Sequence, residues 1–228
     1  MKKIKVGLVG ASGRMGQEIS HLMDKASPYE LFLPRGSKDK LDVPEAAQVD
    51  VWIDFSTPAV LVEVLKVAKK NKTPVVCGTT GLTDKEKKLL KKYSEHIPVL
   101  WASNMSLGVA VLNQALRAFA AIADFDFQVE EIHHKRKKDR PSGTAITIQE
   151  NLEKVVGKKL PEALSIRGGG VFGEHKIFAM SDEEVITFSH SALSRTVFAR
   201  GALKAAHWLV GKKPGMYSIQ ETLFGKNA

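Results

Sequence analysis

The stretch Ile4-Lys5-Val6-Gly7-Leu8-Val9-Gly10-Ala11-Ser12-Gly13-Arg14-Met15-Gly16 decides the fold. Ile4 to Val9 is an apolar run of strand length, and after the glycines Ile19, Leu22 and Met23 recur at helical spacing. The order is strand, glycine turn, helix. Gly10, Gly13 and Gly16 form a relative of the dinucleotide fingerprint with an altered first spacing. In such a turn the first glycine allows a tight reversal and the second lets backbone approach a pyrophosphate. The third lets helix and strand pack closely, and the helix N-terminus supplies positive potential. Gly10, Ala11, Ser12, Gly13, Arg14, Met15 and Gly16 are therefore candidate dinucleotide contacts; a tight structural turn is the plainer reading of the same residues.

Outward from this turn the alternation continues. A second strand is expected at Glu30 to Leu33, stopped by Pro34, and a third at Val49 to Phe55. Thr57-Pro58 opens a helix whose apolar face carries Val60, Leu61, Val64, Leu65 and Ala68. Val75-Val76-Cys77 is a buried strand ending in Gly78-Thr79-Thr80-Gly81, and Thr83 with Glu86 forms a capping box for the next helix. Pro98 to Ala102 is a further strand, followed by Ser103-Asn104-Met105-Ser106 and a long helix from Leu107 to Ala123. Strands alternating with helices predict an α/β fold with a doubly wound parallel sheet.

After Asp124 the rhythm changes. Phe125 to His134 alternates as a long strand with Phe127, Val129, Glu131 and His133 on one face, and Gly143 to Val156 is helical. Leu164 to Arg167, His175 to Met180 and Val185 to His190 then follow as strands, expected to pack antiparallel in a second, α+β unit. A final helix runs from about Thr196 to Val210.

Composition narrows the class. The chain has 228 residues, 43% hydrophobic and 26% charged, which is ordinary globular usage. No apolar run reaches the roughly 18 residues of a membrane span, and the N-terminus lacks a signal peptide's apolar stretch. A single cysteine, Cys77, excludes a disulfide framework and a cysteine-rich zinc module. The simplest expectation is a soluble cytoplasmic protein. The net charge of +9 fits nucleic acid, an anionic membrane surface, or small polyanions such as dinucleotides and dicarboxylates. Only 7% of residues are aromatic, which weakens the case for single-strand binding by base stacking.

Two basic features locate part of that charge. An acidic residue at the end of the second strand would hold the ribose hydroxyls of NAD, yet Arg35 and Lys38 stand there and no carboxylate is evident. An arginine fork suits the 2′-phosphate of NADP, although the same side chains also make an ordinary solvated loop. The second feature is Glu131-Ile132-His133-His134-Lys135-Arg136-Lys137-Lys138-Asp139-Arg140-Pro141-Ser142-Gly143-Thr144. It continues a strand and turns into a helix, unlike the flexible segments that carry localisation signals. Adjacent histidines on a strand face opposite ways, so one can act as acid or base while its neighbour binds an anion. Ser142, Gly143 and Thr144 at a helix N-terminus offer hydroxyls and N–H groups to a carboxylate. No thiol or carboxylate has a spacing that would complete a zinc site, so no metal is expected.

These residues together resemble the 4-hydroxy-tetrahydrodipicolinate reductase (dihydrodipicolinate reductase) family nearly end to end. The resemblance rests on Gly10-Ala11-Ser12-Gly13-Arg14-Met15-Gly16, Gly78-Thr79-Thr80-Gly81, Asn104-Met105-Ser106-Leu107-Gly108, and the run from His133-His134 through Lys137 and Asp139 to Pro141-Ser142-Gly143-Thr144-Ala145. The last is specific to that family, whereas the glycine turn is shared by many dehydrogenases. The resemblance implies NADPH or NADH as cofactor, held by Gly10 to Gly16, by Gly78, Thr79 and Thr80, and by Ala102, Ser103, Asn104 and Met105. It implies His133 as the catalytic proton donor and acceptor and Lys137 as a second proton donor. His134, Gly143 and Thr144 would bind the carboxylates of a cyclic dicarboxylate substrate. It further implies a Rossmann-type dinucleotide-binding domain, residues 1–105 with 195–228, around a substrate-binding and oligomerisation domain, residues 106–194. Such proteins assemble as homotetramers through their substrate-domain sheets, act in lysine and diaminopimelate biosynthesis, and engage no nucleic acid or membrane. The connection after the first helix is shorter here than in familiar members, and the family's acidic ribose-binding position has no clear counterpart.

Two rivals make different demands. A cofactor-sensing regulator would turn the basic run on DNA, but the sequence lacks a helix-turn-helix pattern. A semialdehyde dehydrogenase would need a thiol nucleophile on the substrate side, and Cys77 instead ends a Rossmann-type strand.

Overall fold

The computed structural model describes residues 2–23, 27–36 and 38–225. The chain divides into two compact units, residues 1–105 with 198–228, and residues 106–197.

In the first unit, β1 (Ile4–Val9), β2 (Tyr29–Arg35), β3 (Val51–Asp54), β4 (Val75–Cys77), β5 (Pro98–Trp101) and β10 (Gly215–Tyr217) form one sheet in the order β10-β5-β4-β3-β1-β2. Every neighbouring pair is parallel. Helices α1 (Arg14–Leu22), α2 (Pro58–Asn71) and α3 (Asp84–Ser94) follow β1, β3 and β4 respectively. The centre of the sheet is apolar: Val6, Leu8, Val51, Ile53, Val75, Val76 and Val99 are fully buried, as a parallel sheet covered on both faces requires. Leu61, Leu65 and Ala68 bring the buried stripe of α2 against that layer. The capping box at Thr83 and Glu86 is present at the start of α3.

Two local expectations change. Pro34 does not stop β2; it sits within the strand, opposite Leu8. Because β2 lies at the sheet edge, a residue without an N–H breaks no ladder there. The third strand is shorter than expected, since Pro44–Gln48 coils into a 3₁₀ turn ending at Val49. Short β10 and the final turn α7 (Glu221–Phe224) carry too little periodicity to be read in advance.

The second unit contains β6 (Asp126–His133), β7 (Leu164–Arg167), β8 (Glu174–Met180) and β9 (Val185–Ser191) in the order β7-β6-β8-β9. The β6–β8 and β8–β9 pairs are antiparallel, but β7 runs parallel to β6, correcting the all-antiparallel expectation. Helix α5 (Gly143–Val156) separates those two strands, and a helical crossover returns the chain in the same direction. The expected long helix from Leu107 to Ala123 also divides, into α4 (Leu107–Ala115) and a 3₁₀ segment, Leu116–Ile122. Leu116, Phe119 and Ile122 recur every three residues, so the tighter winding keeps all three on the apolar cluster with Phe127, Val129 and Ile177. Helix α6 (Thr196–Leu209) follows β9.

Candidate active site

The first group of candidate residues gathers at the carboxyl ends of β1, β3 and β4. Gly10 has φ +81, and a Cβ on it would lie 2.4 Å from the Phe55 carbonyl oxygen, so only glycine makes this reversal. A Cβ on Gly16 would meet the Gly10 carbonyl oxygen at 2.2 Å, which shows how closely α1 lies on the turn. The amides of Gly10 and Ala11 both donate to the Arg35 carbonyl, at 2.9 and 3.0 Å, fixing the turn to the end of β2. Gly13 is the N-cap of α1 and no side chain caps it. The outward-pointing first-turn amides suit a phosphate, while Ser12, Gly13 and Arg14 are exposed and Met15 half-buried. The strand order reverses between β1 and β3, where doubly wound sheets bind nucleotides. The cradle thus fits a dinucleotide.

Asp54, at the end of β3, organises the neighbouring loops. Its buried carboxylate accepts from the Thr79 hydroxyl at 2.8 Å, the Ser56 amide at 3.2 Å and the Ser56 hydroxyl. Burial raises its pKa, and the hydrogen bonds from Ser56 and Thr79 oppose that rise. Thr79 therefore spends its side chain inward; its carbonyl accepts from the Trp101 indole at 3.3 Å. Thr80 beside it is exposed, Ala102, Ser103 and Asn104 are half-buried, and Met105 is enclosed. Cys77 is fully buried and hydrogen-bonds to Asp54, and burial together with that carboxylate pushes its thiol pKa well up. It is a core residue and no nucleophile.

The end of β2 brings a correction. Asp39 folds back so that its carboxylate accepts from the Gly36 amide at 2.7 Å, placing an acid beside Arg35 that the strand pattern did not reveal. A Cβ on Gly36 would lie 3.5 Å from both Asp39 Oδ2 and Ser12 Oγ, so this carboxylate approaches the glycine turn. The Arg35 Nε is buried without a hydrogen-bond partner among the described residues.

The second group lies in the other unit, at the end of β6. His133 is 7% exposed and its Nδ1 is hydrogen-bonded to Glu131, two residues earlier on the same strand face. Arg167 on β7, directly opposite His133, donates to both Glu131 oxygens at 2.6 and 2.8 Å and to the Asp139 carbonyl at 2.6 Å. The Asp139 carboxylate holds Lys137 Nζ at 2.9 Å. Burial pushes the Glu131 pKa up, but the hydrogen bonds from Arg167 and His133 win and bring it down to about 2. For His133 burial dominates and lowers the pKa; Glu131 resists that shift, while Lys137 and Arg167 add to it.

Ser142 caps α5 with its hydroxyl, which accepts from the Ala145 amide at 3.2 Å, and its own amide donates to Glu131 at 3.3 Å. Ser142 is thereby turned inward, 1% exposed, and Thr144 is also buried, so of the three predicted residues at the helix start only Gly143 is exposed. His134 leaves the strand, its amide bound to the Val171 carbonyl at 2.7 Å, and is half-buried.

Three residues of this neighbourhood were not singled out by their sequence pattern. Arg167 reads as the end of an amphipathic strand, and its role follows only from the β6–β7 register. His175 on β8 stands edge-on to His133, ring centroids 5.3 Å apart, and its pKa is lowered to about 3, by burial first and then by its histidine neighbours. His190 on β9 follows at 6.5 Å from His175 and reaches the Ser106 hydroxyl, the N-cap of α4, at 3.1 Å. Glu131 shares its strand face with Phe127, Val129 and His133, and a charge on such a face is a signal of a partnered buried acid.

Comparison with known proteins identifies the family of the chain. Family profiles described as "Dihydrodipicolinate reductase, N-terminus" and "Dihydrodipicolinate reductase, C-terminus" match residues 4–105 and 108–223. A 4-hydroxy-tetrahydrodipicolinate reductase of Bdellovibrio bacteriovorus is 66% identical, covering 100% of this chain and 99% of its own. The enzyme of that name from Campylobacter lari is 37% identical over 96% of this chain and 99% of its own. Among solved structures, a dipicolinate-bound dihydrodipicolinate reductase from Paenisporosarcina sp. TG-14 shares the fold, with a TM-score of 0.76, 20% identity, and coverage of 97% of this chain and 100% of its own. With both halves matched by one family and full-length relatives well above 30% identity, the chain belongs to the dihydrodipicolinate reductase family.

Proposed function

We propose that this protein reduces 4-hydroxy-tetrahydrodipicolinate to tetrahydrodipicolinate with NADPH or NADH, with loss of water, in lysine and diaminopimelate biosynthesis. The observation that carries the reading is the joining of His133, Lys137 and the start of α5 into one hydrogen-bonded group through Glu131, Arg167 and Asp139. A cyclic dicarboxylate needs cationic and N–H contacts for its two charges and a proton donor for its ring, and this group supplies both.

When bound, the reduced nicotinamide supplies the hydride; Gly10 to Gly16 would hold its pyrophosphate, with Gly78, Thr79, Thr80 and Ala102 to Met105 along its other side. Thr79 would contribute through backbone, since its hydroxyl serves Asp54. His134, Gly143 and Thr144 would take the substrate's carboxylates, with Ser142 acting by shaping the helix start. Reduction adds negative charge to a substrate that is already a dianion. Lys137 would stabilise that charge, an electrostatic contribution made without reorganisation because Asp139 already holds the ammonium. His133 would donate the proton, its ring suited to changing charge near neutrality.

The exposed run Lys135, Arg136, Lys138 and Arg140 lies in the loop after β6, in continuity with this group. That placement favours small-anion attraction over a nucleic-acid surface. Among the described residues no helix is long and apolar enough to cross a membrane, and the proposed location is the cytoplasm. A homotetramer is also proposed: Leu164 and Ile166 on β7 and Val185 on β9 are 54%, 46% and 61% exposed on the sheet face opposite His133. They lie at the two edges of the sheet, β7 and β9, and exposed apolar side chains on such a face are what a second copy can cover.

Dipicolinate, the planar dicarboxylate named with the Paenisporosarcina structure, is the direct probe of this site. Calorimetry should show it binding to the wild-type protein and binding more weakly to His134→Ala. Equal binding to both would remove His134 from the carboxylate site.

A further inference from the structure

We infer that Glu131 is a positioning residue: its carboxylate, held by Arg167, sets the tautomer of His133 and leaves Nε2 as the ring's working nitrogen. This rests on the reductase reading above and goes beyond it. An ionised carboxylate has no proton to give, so the hydrogen between Glu131 and His133 belongs to Nδ1. The neutral ring then has a bare Nε2, and the protonated ring presents Nε2–H. When Nε2 gives up its proton, the ring returns to the same Nδ1–H tautomer without turning over. On the other side of the ring, Gly173 leaves room at Nε2; a Cβ there would approach that nitrogen to 3.0 Å.

The rest of the network explains why the acid stays charged and where it points. Glu131 is completely buried, and a lone carboxylate there would take up a proton. Two guanidinium bonds, at 2.6 and 2.8 Å, keep it ionised and fix its plane. One of these oxygens, Oε1, also receives the Ser142 amide, and Arg167 reaches on to the Asp139 carbonyl, whose residue holds Lys137. A plain structural ion pair needs no contact to His133, because a buried pair is commonly replaceable by apolar residues without loss of stability.

The groups facing His133 are Glu131 on its own strand, Arg167 on β7, His175 on β8 with His190 behind it, and Lys137 in the loop after β6. Of these, Glu131 alone favours the imidazolium, against burial, Lys137 and Arg167. Removing its charge must lower the pH at which His133 loses its proton.

Two variants test this. Glu131→Gln removes the charge at nearly constant shape, and the double variant Glu131→Leu with Arg167→Met removes both charges and the acceptor, so no buried charge is left to prevent folding. The readouts are ring-nitrogen NMR shifts of His133, the pH profile of kcat, and calorimetric NADPH affinity. In the wild type the neutral ring should carry its proton on Nδ1; in the double variant it should move toward Nε2. In Glu131→Gln the alkaline limb of kcat should move to lower pH, and kcat slightly above neutrality should fall about 100-fold, the low end of a positioned general acid's contribution. NADPH affinity should stay within about twofold, because Glu131 is not one of the cradle residues and bonds to none of them. An unchanged tautomer or an unmoved limb would overturn the inference, even with kcat reduced. Wild-type protein that shows the Nδ1–H tautomer yet turns over no substrate would overturn the reductase reading and support the tautomer assignment.

Discussion

Arg167 and Glu131 meet fork to fork, guanidinium nitrogens 2.8 and 2.6 Å from the two carboxylate oxygens, with both side chains shut off from water. The pair has a pH signature whose sign is fixed. Glu131's pKa falls from an ordinary 4.5 to about 2, so its contribution to stability is fully present above 4.5 and is lost as the pH drops through about 2. The melting temperature of Glu131→Gln should therefore lie furthest below wild type above that window, and the two should converge as acid is added. A gap independent of pH would show that the carboxylate is not held in its charged form.

Gly13→Asp separates cofactor binding from folding. Gly13 is the N-cap of α1 with φ −77 and ψ 167, a conformation open to any residue, and aspartate is among the best N-caps. Its Cβ would sit 3.2 Å from the Gly10 carbonyl oxygen, a tight contact relieved by a small shift. The new carboxylate would then occupy the first-turn amides itself. Thermal stability should hold, while NADPH affinity by calorimetry falls at least about 100-fold, near 3 kcal/mol. Undiminished affinity would remove the glycine turn from the cofactor site.

The proposed catalytic pair and the proposed binding residue should fail differently. His133→Gln and Lys137→Ala remove interactions that strengthen as charge and proton move, so each should lower kcat by about 100-fold or more. His134→Ala removes a contact made equally before and during reaction, so it should chiefly raise KM. Steady-state kinetics that assigned the kcat loss to His134 and the KM effect to His133 would reverse their roles.

The first turn and the basic run were legible because each packs its chemistry into a short local pattern: Gly10, Gly13 and Gly16 before a helix, and His133-His134 through Ser142-Gly143-Thr144 leading into one. What escaped was set by long-range pairing. Arg167 reaches Glu131 because β7 lies parallel to β6 in a register that places it opposite His133, and no local spacing encodes that register. His175 and His190 join the same neighbourhood only through the antiparallel β8 pairings. Asp39 was missed for the opposite reason: it lies past the strand end, and a tight turn carries it back to Gly36. Pro34 misled because a strand's tolerance for proline depends on its place in the sheet.

We propose that cofactor choice depends on the balance between Arg35 and Asp39. A well-formed arginine–phosphate contact contributes roughly 1.5–3 kcal/mol, about ten- to a hundredfold in affinity, less at high salt. Asp39 would repel a 2′-phosphate and could accept from a ribose hydroxyl, so both cofactors should be used, with NADPH favoured. Arg35→Ala should raise KM for NADPH and leave NADH nearly unchanged, and Asp39→Ala should widen the preference for NADPH. A strong NADH preference untouched by Arg35→Ala would make Arg35 an ordinary loop charge.

The most direct measurement couples the purified protein to the synthase that makes 4-hydroxy-tetrahydrodipicolinate and follows oxidation of NADPH and of NADH. Oxidation should depend on the synthase product, proceed with either cofactor, and drop by about 100-fold or more in His133→Gln while that variant still binds NADPH normally. Wild-type protein that binds NADPH and dipicolinate but oxidises neither cofactor with the synthase product present would contradict the assignment.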